Sequence, residues 1–388
     1  MDNQGRITLS QRELQRVAVI SNCVKGEMAC ASAAALLSLS VRQVKRLKKR
    51  MREGGEAALA HANRGRPSAR RTPERVRRKV LALARGKYAG FNDHHLAEKL
   101  NEVEGLPLSR ETLRRLLRRA GIGSPRKHRA PAHRQRRLRS ARVGELVQLD
   151  GSPHDWLEGR GPHLTALGMQ DDASGKILAA GFFLAETAEG YFRLLQSLLR
   201  RFGVPLAFYG DRSGIFVRND DSWTLEEQLA GQRQPTQFGR ALEQLGITFI
   251  AAQSPQAKGR VERLWGVLQD RLCSELRLAG ASDLHSANRV LRRFIADYNR
   301  RFARIPRHAA QVWRTAPENL ERICAFRHDR IVSNDNVVQW EGRRFQIPPQ
   351  HHRFSFAGAK VHLYQALDGR VSLYYGDNRL EHTSLAGG

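Results

Sequence analysis

The stretch Gln253-Ser254-Pro255-Gln256-Ala257-Lys258-Gly259-Arg260-Val261-Glu262-Arg263 decides how the middle of the chain is read. Ser-Pro punctuates a loop, and from about Gln256 onward the pattern is that of a long helix, which carries Glu262. Working back toward the N-terminus, Ile247–Ala251 reads as a short strand and Phe238–Leu245 as a helix. Pro205–Gly210 is another strand and runs into Asp211. Thr187–Phe202 has helical period through Tyr191, Leu194, Leu195 and Leu198. His163–Gln170 and Lys176–Leu184 are strands joined by the turn-rich Asp171-Asp172-Ala173-Ser174-Gly175. Glu145-Leu146-Val147-Gln148-Leu149-Asp150 is a strand that again ends in an acid. Two strands therefore deliver carboxylates at their C-terminal ends, where ligands of α/β sheets gather, and a later helix offers a third. Oxygen ligands suit hard cations, Mg²⁺ or Mn²⁺ in its place. Two such ions about 3.5–4 Å apart can activate an attacking oxygen and stabilise a leaving one at phosphorus. One strand-end Asp alone is more often a turn former; the inference rests on the three acids together.

The composition around this segment narrows the partner. The 388 residues hold 66 Lys and Arg against 38 Asp and Glu, a net charge of +28, and the length suits two to four domains. A hydrophobic fraction of 41% supports real cores. The longest strongly apolar run, around Ile177–Ala185, is about half the length that spans a bilayer. Met-Asp-Asn-Gln-Gly-Arg at the start has no apolar core behind it, so no secretory signal is expected. Cys23, Cys30, Cys273 and Cys324 lack disulfide-framework or zinc-ligand spacing and read as small hydrophobes in a reducing cytosol. The excess charge is uneven: residues 1–140 hold 34 basic and 11 acidic side chains, residues 141–388 hold 32 and 27. Solubility needs no such asymmetry, whereas a phosphate backbone explains it. Charge alone does not separate DNA from RNA.

The basic third reads as two helical units. Residues 10–24 form a helix with Leu14, Val17, Ile20 and Val24 on one face; Ala31–Leu37 is a second. Ser40 caps a third, with Val41, Val44 and Leu47 as its buried stripe. Arg42, Gln43, Lys45, Arg46 and Lys49 then face outward. This is the layout of a helix-turn-helix whose last helix enters the major groove, the bland alternative being a solvated basic helix. In the linker at 61–71, Arg64 and Arg66 of Arg-Gly-Arg-Pro either lie in a minor groove or are simply solvated. Thr72-Pro73 opens a second unit, with a helix near Asp93–Val103 and a last helix from Ser109 to Gly121. Arg110, Arg114, Arg115, Arg118 and Arg119 form the outer face of that last helix. Residues 124–142 are Arg-rich and Pro-punctuated, an extended linker. Two basic units in tandem suggest a long, bipartite double-stranded DNA site.

The quoted motif resembles the Ser-Pro-x-x-x-Gly-x-x-Glu segment of the retroviral-integrase-type transposase core. Asp211-Arg212-Ser213-Gly214-Ile215-Phe216 resembles its second-Asp motif. Leu149-Asp150-Gly151-Ser152-Pro153-His154-Asp155-Trp156 resembles the first-Asp motif of bacterial insertion-sequence transposases, most closely the ISNCY group. The likeness covers nearly the whole chain. It implies an acidic (DDE) triad of Asp150, Asp211 and Glu262, as catalytic and as metal-holding residues, in an RNase H-like core with a five-stranded mixed sheet. It also implies a transposase that binds terminal inverted repeats, cuts a DNA strand with Mg²⁺ and transfers it, working as at least a homodimer in the bacterial cytoplasm, nucleoid-associated when bound. A non-enzymatic DNA-binding regulator with a retained scaffold is the rival from another class. A plain nuclease is a third reading, against which the bipartite module argues. The spacing from Asp211 to Glu262, 51 positions, exceeds that of retroviral integrases, and the excess falls in a polar insertion at 217–237. The basic residue that integrase cores often carry seven after the Glu is Gln269 here, so its DNA contact shifts to Arg263 or Arg271. Lys258, Arg260 and Arg263 are further DNA candidates; Lys258 either neutralises Glu262 or holds a phosphate. His154 and Asp155 either shape the site or make a turn. Trp156 and Trp265 either stack on a displaced base or pack.

The expected organisation is thus a helix-turn-helix at 1–60, the linker, a second helix-turn-helix at 72–123, the Arg-rich linker, the core at 143–305 and a C-terminal domain at 320–380. Ala287–Phe302 is helical, and Asp297-Tyr298-Asn299 resembles the segment that closes integrase cores. From Asp329 the period becomes two, with Glu341-Gly342 and Asp368-Gly369 as hairpin turns, which fits a small β-barrel binding either DNA or a partner subunit. In fold class the chain is multidomain: all-α units, an α/β core, then all-β.

Overall fold

The computed structural model describes residues 9–60, 71–125, 138–252, 259–351 and 353–385. Arg64, Arg66 and Lys258, three of the expected DNA contacts, lie outside the described residues, as does most of the Ser-Pro motif. The chain divides into two compact units, Met1–Val76 and Arg77–Gly388.

In the first unit α1 (Gln11–Lys25) starts at a capping box, Ser10 with Glu13, and stops at Gly26, whose φ of 86° suits a residue without Cβ. α2 (Cys30–Leu37) follows, then a turn through Ser38 in the left-handed region, then α3 (Val41–Gly54). Val17, Ile20 and Cys23 of α1 meet Ala33, Ala34, Val44 and Leu59 in a small core. The apolar stripe differs from the sequence expectation at its ends, because Leu14 and Val41 are exposed. The small side chains of Ala33 and Ala34 let three short helices close without them.

α4 (Glu74–Arg85) starts within the last residues of the first unit and runs into the second, where α5 (Asp93–Glu102) and α6 (Arg110–Arg119) follow. β1 (Leu146–His154), β2 (Leu164–Asp171) and β3 (Ile177–Phe183) form an antiparallel meander. α7 (Ala188–Phe202) leads to β4 (Ala207–Gly210). α8 (Leu225–Ala230), α9 (Gln237–Gln244), β5 (Thr248–Ala251), α10 (Val261–Leu278) and α11 (Leu284–Phe302) complete the core. β4 runs parallel to β1 and β5 parallel to β4, giving the order β3-β2-β1-β4-β5. This is the five-stranded mixed sheet that the resemblance implied.

Alternation along β1 sorts the two faces. Val147 and Leu149 join Leu167, Met169, Phe208 and the inner sides of α7 and α9. The opposite face is closed by α10 and α11, whose Leu264, Trp265, Leu268, Leu291 and Phe294 pack with Trp156, Leu164 and Phe182. β1 does not end at Asp150. It continues to His154, paired with β2 along its length, whereas its parallel pairing with β4 stops at Gln148↔Tyr209. Asp150 therefore stands mid-strand, just beyond the rim of the parallel half-sheet.

The turn after β2 is a buried junction. Asp171 accepts from the backbone N–H of Gly144 (3.1 Å) and Ser174 (2.7 Å), and Asp172 from that of Ser140 (2.8 Å). After α12 (Leu320–Ile323) come β6 (Phe326–Ile331), β7 (Val337–Trp340), β8 (Arg343–Gln346), β9 (Lys360–Gln365), β10 (Val371–Tyr375), β11 (Asn378–Leu380) and β12 (Thr383–Leu385). Among the described residues these strands do not close into the expected β-barrel. They make two open sheets, β11-β10-β9-β6 and β12-β8-β7, over a shared core that includes Val338, Phe345, Phe356, Val361 and Leu373. The Glu341-Gly342 turn has both residues left-handed (φ 49° and 74°), as a tight hairpin requires.

Candidate active site

The parallel pairing of β1 with β4 ends at Gln148↔Tyr209, and Asp150 and Asp211 each follow two residues beyond that last pair. The Asp150 carboxylate stands on the face covered by α10, and the charges of both acids act on the Tyr191 hydroxyl. Each is already oriented: Asp211 accepts from the Ser213 N–H (3.0 Å), and Asp150 Oδ2 accepts from Trp265 Nε1–H (2.9 Å). Glu262 is exposed in the first turn of α10, three residues before Trp265 and on the same side of the helix. A further contact holds the helix against the strand, Gln269 Nε2 donating to Ser152 Oγ (3.2 Å). Among the described residues, no three His, Cys, Asp or Glu side chains converge closely enough to hold an ion. In kind, the oxygen-only donors of Asp150 and Asp211 fit a hard divalent cation.

Two residues next to these acids, Glu186 and Tyr191, carried no sign of a role at the site in the sequence. Glu186, just before α7, sits over Gly151, where a Cβ would come within 2.5 Å of Glu186 Oε2. The Tyr191 hydroxyl donates to Glu186 Oε1 (2.6 Å). Burial, then the negative charges of Glu186, Asp150 and Asp211, push that hydroxyl far up, so it remains a donor. Only a glycine one residue after a candidate acid hinted at this crowding.

The insertion at 217–237 folds on itself. Arg218 pairs with Asp220 (2.8 Å) and with Glu227, and Arg233 pairs with Asp220 (3.0 Å) and lies over Trp223. Asp220 and Glu227 are thereby committed to arginines. His154 and Trp156 stack edge to face, and the Trp156 indole is fully buried, donating to the Ser152 carbonyl; Trp156 is packing. Trp265 is likewise almost wholly buried.

The expected DNA contacts fall into two groups. Arg42, Lys45, Arg46 and Lys49 are exposed on α3. Gln43 is exposed too, but its Oε1 accepts from the Ser40 N–H (3.0 Å) as half of the cap that starts the helix. Arg110, Arg114 and Arg115 are exposed on α6, the last two sharing Glu111. Arg114 holds that carboxyl down to about 2. Arg263 is exposed and donates to the Gly259 carbonyl (2.7 Å). Others turn inward. Arg118 donates to Asp93 (2.6 Å) and to the Ile122 carbonyl (2.9 Å). Arg260 pairs with the buried Asp172, its side chain only 13% exposed. Arg271 faces Glu98 (2.7 Å), not solvent. Arg118, Arg260 and Arg271 thus serve the fold, because a buried carboxylate or a helix end takes their guanidinium first.

Arg271 belongs to a lattice that docks α5 on the core. His95 and Lys99 both reach Glu275 (2.7 and 2.8 Å), Asn92 donates to Asp270 (2.8 Å), and Glu102 meets Arg301 (2.6 Å). Burial alone would raise the Glu275 carboxyl, but the hydrogen bonds from His95 and Lys99 outweigh it and hold the group below its ordinary value.

The chain is similar to several known proteins. Residues 16–78 match the winged helix-turn-helix family. "Putative transposase y4bF" of Sinorhizobium fredii is 39% identical over 97% of this chain and 82% of that protein. "Transposase for insertion sequence IS1202" of Streptococcus pneumoniae is 31% identical over 96% of this chain and 86% of that one. Among solved structures, the HTLV-2 integrase catalytic core domain in complex with magnesium aligns over 39% of this chain and 86% of its own, at 17% identity and a TM-score of 0.29. The simian T-cell lymphotropic virus intasome in complex with a PP2A regulatory subunit aligns over 77% of this chain and 97% of that one, at 15% identity and a TM-score of 0.34. No helix among the described residues is long and apolar enough to cross a membrane. Identity sustained at this level across nearly the full length, joined to a helix-turn-helix match at the basic end, places the chain in the family of bacterial insertion-sequence transposases.

Proposed function

We propose that this transposase cuts and joins DNA at a site built from Asp150, Asp211 and Glu262. The observation that supports it most is that Asp150 and Asp211 follow, two residues on, the last paired residues of the parallel strands β1 and β4, with Asp150 held by Trp265 of the helix whose first turn carries Glu262. The three carboxylates would hold two divalent ions, Mg²⁺ or Mn²⁺, which lower the pKa of an attacking water and take up charge on the leaving oxygen. The chain's own part is to bind and align. Arg42, Lys45, Arg46 and Lys49 of α3, with Arg110, Arg114 and Arg115 of α6, present basic faces to the terminal inverted repeats. Arg263, beside Glu262, meets the backbone near the cut.

Hydrolysis of one P–O bond at the element end frees a 3′-hydroxyl. That hydroxyl then attacks a target phosphodiester in line, forming one P–O bond as another breaks, with no covalent link to protein. Two ends must meet, so the working form is at least a homodimer. The domain limits given above, 1–60, 72–123, 143–305 and 320–380, are the proposed division of labour, and the protein acts in the cytoplasm, on the nucleoid when bound.

The test is a duplex carrying the gene's own flanking ends, incubated with wild type, Asp150→Asn, Asp211→Asn and Glu262→Gln in Mg²⁺ and in EDTA, with 3′ ends and joined products mapped. Metal-dependent cuts at a repeat boundary, lost in each variant, are expected. Strand transfer that survives Glu262→Gln refutes the assignment. Specific binding without cleavage by any of the four proteins supports the regulator instead.

A further inference from the structure

We propose that Trp265 is a positioning residue that fixes Asp150 and the Glu262 turn in one register; this rests on the reading of Asp150 as a metal-holding carboxylate. The Trp265 indole donates to Asp150 Oδ2 at 2.9 Å, and the side chain is only 5% exposed. Its ring lies on Gly168, the residue paired with Asp150 across β1 and β2. A Cβ at Gly168 would stand 3.0 Å from the ring carbon Cη2, so only glycine leaves the indole its full depth. The ring of Trp156 closes the other side, edge to face at 6.4 Å.

One helical turn on, Gln269 reaches Ser152. Four residues of helix rise about 6.0 Å, and two residues of strand about 6.6 Å. Trp265 and Gln269 therefore match Asp150 and Ser152 step for step, and α10 cannot slide along β1 without breaking both bonds.

The chemistry of the donor suits this task. An indole N–H donates and never accepts, so it orients a carboxylate without competing for a cation. A lysine in its place would bring a charge that repels one. With Oδ2 held by the indole N–H, the carboxylate cannot spin. Because Glu262 lies three residues earlier on the same helix side, the side chain that orients Asp150 also places the third acid.

The test is calorimetric titration of the full-length chain with Mn²⁺, for wild type, Trp265→Phe, Gly168→Ala and Asp150→Asn, with circular dichroism to check folding. Trp265→Phe keeps the packing and removes the donor; Gly168→Ala keeps the donor and displaces it. Both are expected to raise the Mn²⁺ Kd about ten-fold, equivalent to about 1.4 kcal/mol. Raising Mg²⁺ ten-fold should restore most of their cleavage rate, which a merely structural defect would not allow. If Trp265→Phe does not fold, Gly168→Ala decides alone. Folded variants that bind Mn²⁺ within two-fold of wild type, while Asp150→Asn loses binding, overturn the positioning role and leave the metal site standing. Wild-type Mn²⁺ affinity in Asp150→Asn overturns both.

Discussion

Replacing Asp172 by Asn tests whether the junction beneath α10 is held by charge. Asp172 is buried and accepts from the Ser140 N–H (2.8 Å), from the Gln148 amide and from Arg260. The isosteric amide keeps one acceptor oxygen but removes the charge, leaving a guanidinium that is 13% exposed without its counter-ion. Breaking a buried pair from one side costs about 3–5 kcal/mol. The retained acceptor puts Asp172→Asn near the lower end, about 3 kcal/mol. For a core of this size that is a fall in Tm of about 6–12 °C. Arg260 immediately precedes α10, so the first turn bearing Glu262 should loosen as well, and cleavage should fall more than DNA affinity. Urea unfolding followed by tryptophan emission measures the first effect. Arg260→Met in the Asp172→Asn background should recover at least half the loss, because no buried charge then lacks a partner. A loss under about 1 kcal/mol in Asp172→Asn, or no recovery in the double variant, would refute the reasoning.

Other consequences are quick to check. Glu98 and Glu275 are both held below their ordinary value of 4.5 despite burial that would raise them, Glu98 by Arg271 and Arg301, Glu275 by His95 and Lys99. A depressed carboxylate stabilises above its unfolded pKa and loses that contribution as pH falls through the folded one. Docking of α5 should therefore be full at pH 6 and weaken as pH falls below about 4.5; Glu275→Gln should be less stable than wild type at pH 6, and the gap in urea midpoints should narrow as pH falls below 4.5. Arg42→Glu with Arg46→Glu should weaken binding to a terminal-repeat duplex by about ten- to a hundred-fold and flatten the salt slope by about two, read by fluorescence anisotropy. Burial pushes the Cys273 and Cys324 thiols up to about 12, so a thiol reagent at pH 8 should label Cys30 and spare both in the native chain.

The helices and strands of the core were legible because their apolar periods are strong: Tyr191, Leu194, Leu195 and Leu198 announce α7, and the long helix carrying Glu262, expected from about Gln256, is α10, which begins at Val261 after a turn at Gly259 and Arg260. What pairs with what was less so. A period of two announces β7 to β10 but not which edges meet, so two open sheets look like a barrel from the sequence; three-residue β11 and β12 are too short to show any period. Arg260 looks like a DNA contact locally, because its true partner, Asp172, lies 88 residues away. Asp171-Asp172 looks like a plain turn for the same reason. Glu98, Lys99 and Glu102 look like a solvated helix face until Arg271, Glu275 and Arg301 arrive from elements about 170 to 200 residues further on. Glu186 had no period or motif to mark it.

The docking of α5 has a geometric corollary. α6 is tied to α5 through Arg118 and Asp93, and α5 to α10 and α11 through Glu275, Glu98 and Glu102, so side-chain ion pairs link the arginine face of α6 to the helices that cover the sheet. Under the proposed function, the number of base pairs between a duplex step bound there and the bond cut at the acids would be a property of the protein, as on a ruler. Adding a single base pair within that interval would shift the severed bond along the duplex axis and rotate it about that axis, away from the carboxylates, without touching any contact that secures binding.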